Sequence, residues 1–201
     1  MTAVGVGMLA YVGWQLIGTN VVSHHRQEQL VEQLVRDWSE PPAAEGSAEP
    51  GQATALIRIP RFGDDYVIPV LEGVGDDELA SGFGHFEDSA DPGEAGNFAL
   101  AGHRITHGEP LRDMPSLQPG DEVLVETRDT VFTYRLDTDP SDLVVDFGDT
   151  WVLAPKPVNP DASGVQPSED GQLLTLTTCA ELFHDDDRMV AFGHLVATQP
   201  K

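Results

Sequence analysis

The residues with the clearest chemical potential lie near the end of the chain, in TLTTC at residues 175–179. Cys179 is the single cysteine, and it follows an apolar, β-branched run typical of a strand. Arg188 comes nine residues later and opens a second such run. Because the end of one strand faces the start of the next in a hairpin, we expect Arg188 to lie beside Cys179. His103, in ALAGHR, follows an earlier buried strand and must reach the same site from another strand end.

These three residue types suit nucleophilic catalysis. The thiolate is the nucleophilic form of cysteine, and a free thiol with a pKa of about 8.5 is mostly protonated at neutral pH. A neighbouring histidine and arginine stabilise the thiolate, and the arginine is also suited to holding an oxyanion. Each residue alone has a plainer interpretation: a lone cysteine in a strand is usually a small buried apolar residue, and Arg188 is adjacent to the acidic run Asp185–Asp187.

The bulk composition restricts the classes of partner. The chain has 201 residues, a net charge of −23 and a pI near 4.3. A polyanion of this kind repels nucleic acid and anionic lipid headgroups, so we expect no nucleic-acid partner. The acidic residues are spread along the chain, which is typical of a solvated surface. One cysteine cannot form an internal disulfide, so in an exported protein Cys179 is a free thiol or an intermolecular bridge.

The first 54 residues predict an anchor, a stalk and a linker. Residues 1–22 contain a largely apolar, uncharged segment with amphipathic aromatics, which favours a membrane anchor over a cleaved signal peptide. Residues 23–54 begin with apolar side chains at helical spacing and continue into a Pro/Ala/Glu-rich linker. The folded domain is predicted at residues 55–201. We expect the segment before Glu40 to be dispensable for chemistry in vitro.

Short strands dominate the pattern after residue 55. About eight runs with strand-like composition alternate with turn residues, including ALIRIPRF, GNFALAGHR, TWVLAP and QLLTLTT. A short helix is predicted from Asp76. Many short strands with few helices indicate a mainly all-β fold, either a closed barrel or a sandwich.

In combination, GNFALAGHR, TLTTC and an arginine at the start of the next strand resemble the sortase family, the membrane-anchored cysteine transpeptidases of Gram-positive bacteria. The segment PGEAGNFALAGHR and the short Cys-to-Arg interval look most like class E, the housekeeping type of actinobacteria. The resemblance implies an eight-stranded sortase-type β-barrel with short helices behind an N-terminal anchor helix. It also implies a single-pass location in the plasma membrane, with the catalytic domain outside the cell.

The resemblance assigns roles residue by residue. Cys179 becomes the nucleophile, His103 its proton-transfer partner, and Arg188 the cation that contacts substrate and oxyanion. Thr178 occupies the family's Thr-before-Cys position and is expected to contact the peptide. The family cleaves a C-terminal sorting signal of the LPxTG or LAxTG type between Thr and Gly. It then joins the acyl group to an amine of a cell-wall precursor or a pilin. We predict no cofactor for this chain.

The chain also departs from the family pattern. Where class E often has a tyrosine that selects Ala over Pro, four residues after the histidine, this chain has His107. We therefore expect His107 to influence the choice between LAxTG and LPxTG. Class A sortases bind calcium through acidic loops, but a run such as Asp185–Asp187 in so acidic a chain is more typical of a solvated loop, so we predict no metal.

Three alternatives to a housekeeping transpeptidase remain. A pilus-building sortase usually carries a lid segment and a second span, and neither is evident in the sequence. A thiol hydrolase would release the same acyl-enzyme to water without transpeptidation. A non-enzymatic cell-surface binding domain would bury Cys179 as an inert thiol, and resistance to alkylation would identify it.

Overall fold

The fold is defined by a computed structural model that describes residues 5, 14, 18–41, 48–168, 171–179 and 187–201. Most of the predicted anchor and all of residues 180–186 lie outside these ranges. Among the helices that can be described, none is both long enough and apolar enough to cross a membrane.

Nine strands, two α-helices and several 3₁₀ turns make up the described part of the chain. The strands are β1 (Ala53–Arg58), β2 (Ile68–Glu72), β3 (Phe83–His85), β4 (Gly96–Ala101), β5 (Glu122–Glu126), β6 (Thr130–Leu136), β7 (Val144–Asp146), β8 (Gln172–Cys179) and β9 (Asp187–Pro200). The helices are α1 (Thr19–Ser39) and α2 (Asp76–Leu79). The 3₁₀ turns are Pro60–Phe62, Met114–Ser116, Pro140–Asp142 and Thr150–Leu153.

Eight of the strands close into a barrel. Their order is β6-β5-β1-β2-β3-β4-β8-β9, and the pairing of β9 with β6 completes the circle. Closure leaves these strands without an exposed edge, the usual weakness of a sheet. The predicted eight-stranded, mainly all-β barrel with short helices is thus confirmed, and the sandwich is excluded.

β9 pairs with three strands: with β8 along one edge, and with β6 and β7 along the other. Residues 193–200 pair with β6, whereas the first residues, Asp187 to Met189, pair with β7 outside the barrel. The alternating side chains of β9 enter two cores: Met189 and Ala191 face the barrel interior, and Val190 and Phe192 pack in a second cluster under β7. Burial on both faces explains why this strand is continuously apolar in the sequence.

TWVLAP, predicted as a strand, is a 3₁₀ turn at Thr150–Leu153, so that prediction was wrong. The reason lies in Asn97 of β4, whose buried side-chain amide donates to the carbonyls of Val152 and Ala154 at 3.0 and 3.1 Å. A distant amide therefore satisfies the carbonyls that a neighbouring strand would otherwise have bonded. This tertiary contact is invisible in local composition.

α1 lies against the barrel and is held at its C-terminal end. Leu34, on the helix itself, is buried against the rest of the protein. Arg128, at the tip of the β5–β6 hairpin, donates at 2.7, 3.1 and 2.7 Å to the last carbonyls of the helix, those of Asp37, Trp38 and Glu40. A cation at this end also complements the helix dipole. The Lys201 ammonium lies 4.2 Å from the centroid of the Trp38 ring. Both Arg128 and Lys201 therefore contact the C-terminal part of the helix.

Candidate active site

The antiparallel pairing of β8 and β9 places the two residues of the predicted hairpin side by side. In the register, Cys179 is paired with Arg188 and Thr178 with Met189. Opposite residues in an antiparallel ladder have Cα atoms about 4.5–5.5 Å apart. The expectation that Arg188 returns beside Cys179 is met at the level of the backbone.

β4 brings His103 to the same end of the barrel. β4 and β8 are parallel, with Ala101 paired with Thr177, so both strands end together. The N–H of Gly102 donates to the Thr177 carbonyl at 3.1 Å, which extends the ladder by one residue beyond β4. His103 comes next, and it is half-buried. The parallel pairing of β4 with β8 therefore brings His103 to the end of the barrel where β8 ends at Cys179.

Thr178 fastens these two strand ends together. Its hydroxyl donates to the carbonyl of Gly102 at 2.6 Å, and only 3% of the residue is exposed. The hydroxyl proton is therefore committed to the backbone immediately before His103. The side chain still lines the groove described below, so a contact with substrate through the rest of the side chain remains a prediction.

Arg188 lies under an exposed aromatic side chain. Its Cζ is 4.7 Å from the centroid of the Phe147 ring, and Nη1 donates to the carbonyl of Asp187 at 3.2 Å. Phe147 follows β7, whose pairing of Val145 with Arg188 brings the ring into reach. A cation–π contact at an exposed site contributes about 0.5–1 kcal/mol. Phe147 is 71% exposed, which is unusually high for a large apolar side chain.

A groove of about 350 Å³ connects these elements. His103, Thr178 and Arg188 line one part of it, and most of the remaining wall is apolar, with Val74, Leu79, Phe86, Val145, Val152 and Leu153. Ligand sites are typically apolar clefts of this size order with a few polar groups that fix orientation. The groove suits an extended peptide. Its apolar wall would contact an aliphatic side chain, and the polar backbone of the peptide would lie near His103 and Arg188.

His107 lies next to His103 but does not line the groove. The two imidazole centroids are 4.8 Å apart with an interplanar angle of 32°, and His107 Nδ1 lies 3.0 Å from the Thr106 hydroxyl. The structure thus brings together four of the five residues singled out in the sequence at the level of side chains, and Cys179 through its backbone. A role for His107 in choosing the peptide would act through His103.

The loop from His103 to Leu111 has a strained centre. Three consecutive residues have positive φ: His107 at 56°, Gly108 at 79° and Glu109 at 48°. For a residue other than glycine, such a conformation costs about 1–3 kcal/mol and persists only where neighbouring structure imposes it. The sequence offered no signal of this strain, because only the middle residue is a glycine.

The ends of this loop are secured by hydrogen bonds. The N–H of Leu111 donates to the carbonyl of His103 at 2.9 Å, which closes the loop on itself. The hydroxyl of Tyr66 donates to the carbonyl of Pro110 at 2.6 Å. Removal of the phenol from water raises the pKa of Tyr66 well above 10, so it remains a donor at any ordinary pH.

A Ser–His–Glu group lies outside the groove and has the spacing of a catalytic triad. His85 Nδ1 is 3.0 Å from a Glu72 oxygen, and Nε2 is 2.9 Å from the Ser89 hydroxyl. However, Nε2 also lies 3.1 Å from the carbonyl of Ala90, which can only accept. Nε2 is therefore protonated and does not act as a base toward Ser89. This cluster is structural.

No metal-like grouping of three or more His, Cys, Asp or Glu side chains occurs in the described ranges. The loop containing His184 and most of the Asp185–Asp187 run lies outside those ranges. His194, in β9, pairs with Asp137 at 2.8 Å and lies away from the groove.

Comparisons with known proteins agree with this geometry. The family model described as a sortase domain matches residues 57–196. Sortase SrtE1 of Streptomyces coelicolor is 38% identical over 209 residues, an alignment that covers 98% of this chain and 55% of SrtE1. The chain thus spans about half the length of that relative.

Two solved structures are similar over most of the chain. Sortase E from Streptomyces avermitilis has a TM-score of 0.66 and 41% identity, covering 76% of this chain and 93% of that one. Sortase E1 from Streptomyces coelicolor, with a tripeptide in the active site, has a TM-score of 0.64 and 36% identity, covering 77% and 94%. The class E resemblance indicated by the sequence is confirmed by these relatives.

Proposed function

The chain belongs to the sortase family, whose members are cysteine transpeptidases, and from this premise we propose that it is a class E-like transpeptidase. Cys179 is the proposed nucleophile, His103 the proton-transfer residue and Arg188 the cation at the oxyanion. The observation that carries the proposal is the pairing of Cys179 with Arg188 across β8 and β9, next to the groove that His103 lines. No other grouping in the described residues offers a cysteine, a histidine and an arginine together.

The proposed reaction has two balanced halves. The Cys179 thiolate attacks the carbonyl carbon of the substrate threonine, the bond to the glycine nitrogen breaks, and His103 gives a proton to that leaving amine. A second amine then attacks the thioacyl carbon, His103 takes its proton, and the thiolate leaves. Arg188 offsets the negative charge on the tetrahedral oxygen in both halves, where a fixed cation contributes most.

The proposed substrate is a protein with a C-terminal sorting signal. The apolar wall of the groove suits the leucine of an LAxTG or LPxTG signal, and the related sortase E1 holds a tripeptide in its active site. Thr178 lines the groove and is proposed to contact the peptide, whereas His107 is proposed to influence the choice of signal through its contact with His103.

The proposed setting is the outer face of the plasma membrane. Sortases are generally membrane-associated, with the catalytic domain outside the cell. For this chain, residues 1–22 are the proposed anchor, residues 23–54 the stalk and linker, and residues 55–201 the catalytic domain. The proposed acceptor is an amine of a peptidoglycan precursor or a pilin.

Intact-protein mass spectrometry tests the proposal. The full chain is mixed with LAxTG and LPxTG peptides, with and without triglycine, and Cys179→Ala serves as the matched control. We expect a peptide adduct on the wild type, a triglycine-joined product, and neither species with Cys179→Ala, which should keep its fold.

Each of the other possible results indicates a different function for this chain. An adduct that yields only hydrolysed peptide indicates a thiol hydrolase. A thiol that resists alkylation and forms no adduct with either peptide indicates the binding domain. Turnover by Cys179→Ala contradicts the mechanism.

A further inference from the structure

The N-terminal end of α1 contacts the strained part of the His103–Leu111 loop through one side chain. The N–H of Gly108 donates to Asn20 Oδ1 at 3.0 Å, and Asn20 Nδ2 donates to a carboxylate oxygen of Glu109 at 2.7 Å. The second of these bonds has an ionised acceptor, which makes it stronger than a neutral pair. A single asparagine thus holds two consecutive residues of positive φ.

A second residue of α1 shapes the same contact. Gly108 packs so closely on Gln27 that a Cβ on the glycine would lie 2.5 Å from the Gln27 amide nitrogen. Gln27 is 3% exposed, and within the described ranges its amide has no hydrogen-bond partner. A buried amide without a hydrogen-bond partner costs stability, so the contact between Gln27 and Gly108 carries an unsatisfied polar group.

The helix is a firm support for the loop because its other end is fixed. Arg128 binds the last carbonyls of α1, and Lys201 lies over Trp38, as described above. α1 therefore spans from the β5–β6 hairpin to the active-site loop as one element of 21 residues. A displacement of the helix start is transmitted directly to Gly108 and Glu109.

We propose that α1 is part of the catalytic apparatus and that Asn20 is a positioning residue for His103. Its two hydrogen bonds hold Gly108 and Glu109 in the left-handed region. His107 directly precedes them, and its ring contact with His103 carries this constraint to the reacting imidazole. The inference rests on the proposed function, since it concerns the same site. It contradicts the sequence-based expectation that the segment before Glu40 is dispensable for chemistry, and it places Asn20, near the end of the proposed anchor, in contact with the catalytic domain.

The test compares Asn20→Ala with a matched control in the full chain. Gln29→Ala removes an exposed amide from the same helix, and among the described residues the bonding partner of this amide is His25 of that helix. Three quantities are measured: kcat and KM for the sorting peptide, and amide hydrogen exchange across residues 103–111. The exchange measurement does not depend on activity.

For Asn20→Ala we expect kcat to fall about ten- to a hundredfold, the loss that a small misplacement of a catalytic group produces. KM should stay within roughly twofold, because peptide binding in the groove is unchanged. Exchange at Gly108 should rise about five- to tenfold, which corresponds to one lost net hydrogen bond. Gln29→Ala should match the wild type in all three.

A reversal of donor and acceptor provides the rescue. Asn20→Asp alone places a carboxylate against Glu109 and should be worse than Asn20→Ala. The double variant Asn20→Asp/Glu109→Gln restores one donor and one acceptor across the contact, and we expect it to recover kcat. Recovery of kcat together with the slow exchange at Gly108, at constant KM, links the catalytic effect to this contact.

The outcomes separate this inference from the proposed function. If the wild type is inactive toward both peptides, the proposed function fails, and the exchange rates alone decide whether Asn20 holds the loop. If the wild type is active and Asn20→Ala keeps its kcat, the positioning role is overturned, whether or not exchange changes. Unchanged exchange in Asn20→Ala overturns the role of Asn20 in holding the loop in either case.

Discussion

Replacing Thr178 with valine isolates the hydrogen bond that joins the two strand ends of the site. Valine has nearly the same shape as threonine, so Thr178→Val removes the hydroxyl while filling the same space. The lost bond is short, 2.6 Å, and buried, and it leaves the carbonyl of Gly102 without that donor. Only a donor that enters the same buried space can replace it.

The expected magnitude follows from the burial of both partners. A net hydrogen bond contributes about 0.5–1.5 kcal/mol, and a buried acceptor left unsatisfied costs about 1–3 kcal/mol. We expect Thr178→Val to lower the free energy of unfolding by about 2 kcal/mol. For a domain of this size, that corresponds to a fall in Tm of about 4–8 °C.

A functional effect should accompany the loss of stability, because Gly102 directly precedes His103. We expect kcat to fall more than KM changes, since the imidazole rather than the groove is displaced. Thr178→Ser is the matched control: it keeps the hydroxyl and loses one buried methyl, worth about 1 kcal/mol. The serine variant should therefore be less stable than wild type yet retain kcat.

Urea unfolding and steady-state peptide cleavage measure the two effects. If Thr178→Val unfolds within about 0.5 kcal/mol of the wild type, the range of an ordinary surface substitution, the bond does not contribute as inferred. If the valine and serine variants lose kcat equally, the hydroxyl does not position His103. A large rise in KM in the valine variant alone would instead indicate a direct contact of the hydroxyl with the peptide.

Three further predictions concern the groove and the barrel. Arg188→Lys should lose most of kcat while the fold persists, because an ammonium does not reproduce a planar, stacked guanidinium; a wild-type rate would remove Arg188 from the mechanism. Phe147→Leu should lower kcat/KM, and Phe147→Tyr should retain it, because the ring over Arg188 rather than apolar area is what counts; equal rates for both variants would contradict this. Arg61, hydrogen-bonded to Asp121 at 2.8 and 2.9 Å, lowers the pKa of that carboxyl. Arg61→Gln should therefore be less stable than wild type above pH 3.8, the ordinary pKa of the carboxyl, and the difference should disappear as the pH falls through the lowered native pKa. A stability gap in urea unfolding that persists at lower pH would contradict this assignment.

The strands and the approach of Arg188 to Cys179 were both predictable from the pattern of residues, whereas the choice of a barrel over a sandwich came from the family resemblance. Alternation of apolar and polar residues and regular turn signals are local properties, and they indicate strands without knowledge of their partners. A hairpin places the end of one strand opposite the start of the next, so the interval between Cys179 and Arg188 was informative by itself. The wrong strand prediction at TWVLAP shows the limit of local patterns. There the side-chain amide of Asn97, more than fifty residues away, donates hydrogen bonds to the backbone carbonyls.

The sequence indicates the chemistry through a lone thiol, a histidine and an arginine, each at the end or start of a strand. How these residues are held is visible only in the fold: in the parallel pairing of β4 with β8, in the ring of Phe147 over Arg188, and in the hydrogen bond of Asn20 to the loop after His103. The cause is separation along the chain. Each of these contacts joins residues dozens of positions apart, and no local pattern of hydrophobicity, charge or turn residues encodes which distant group will supply a hydrogen bond.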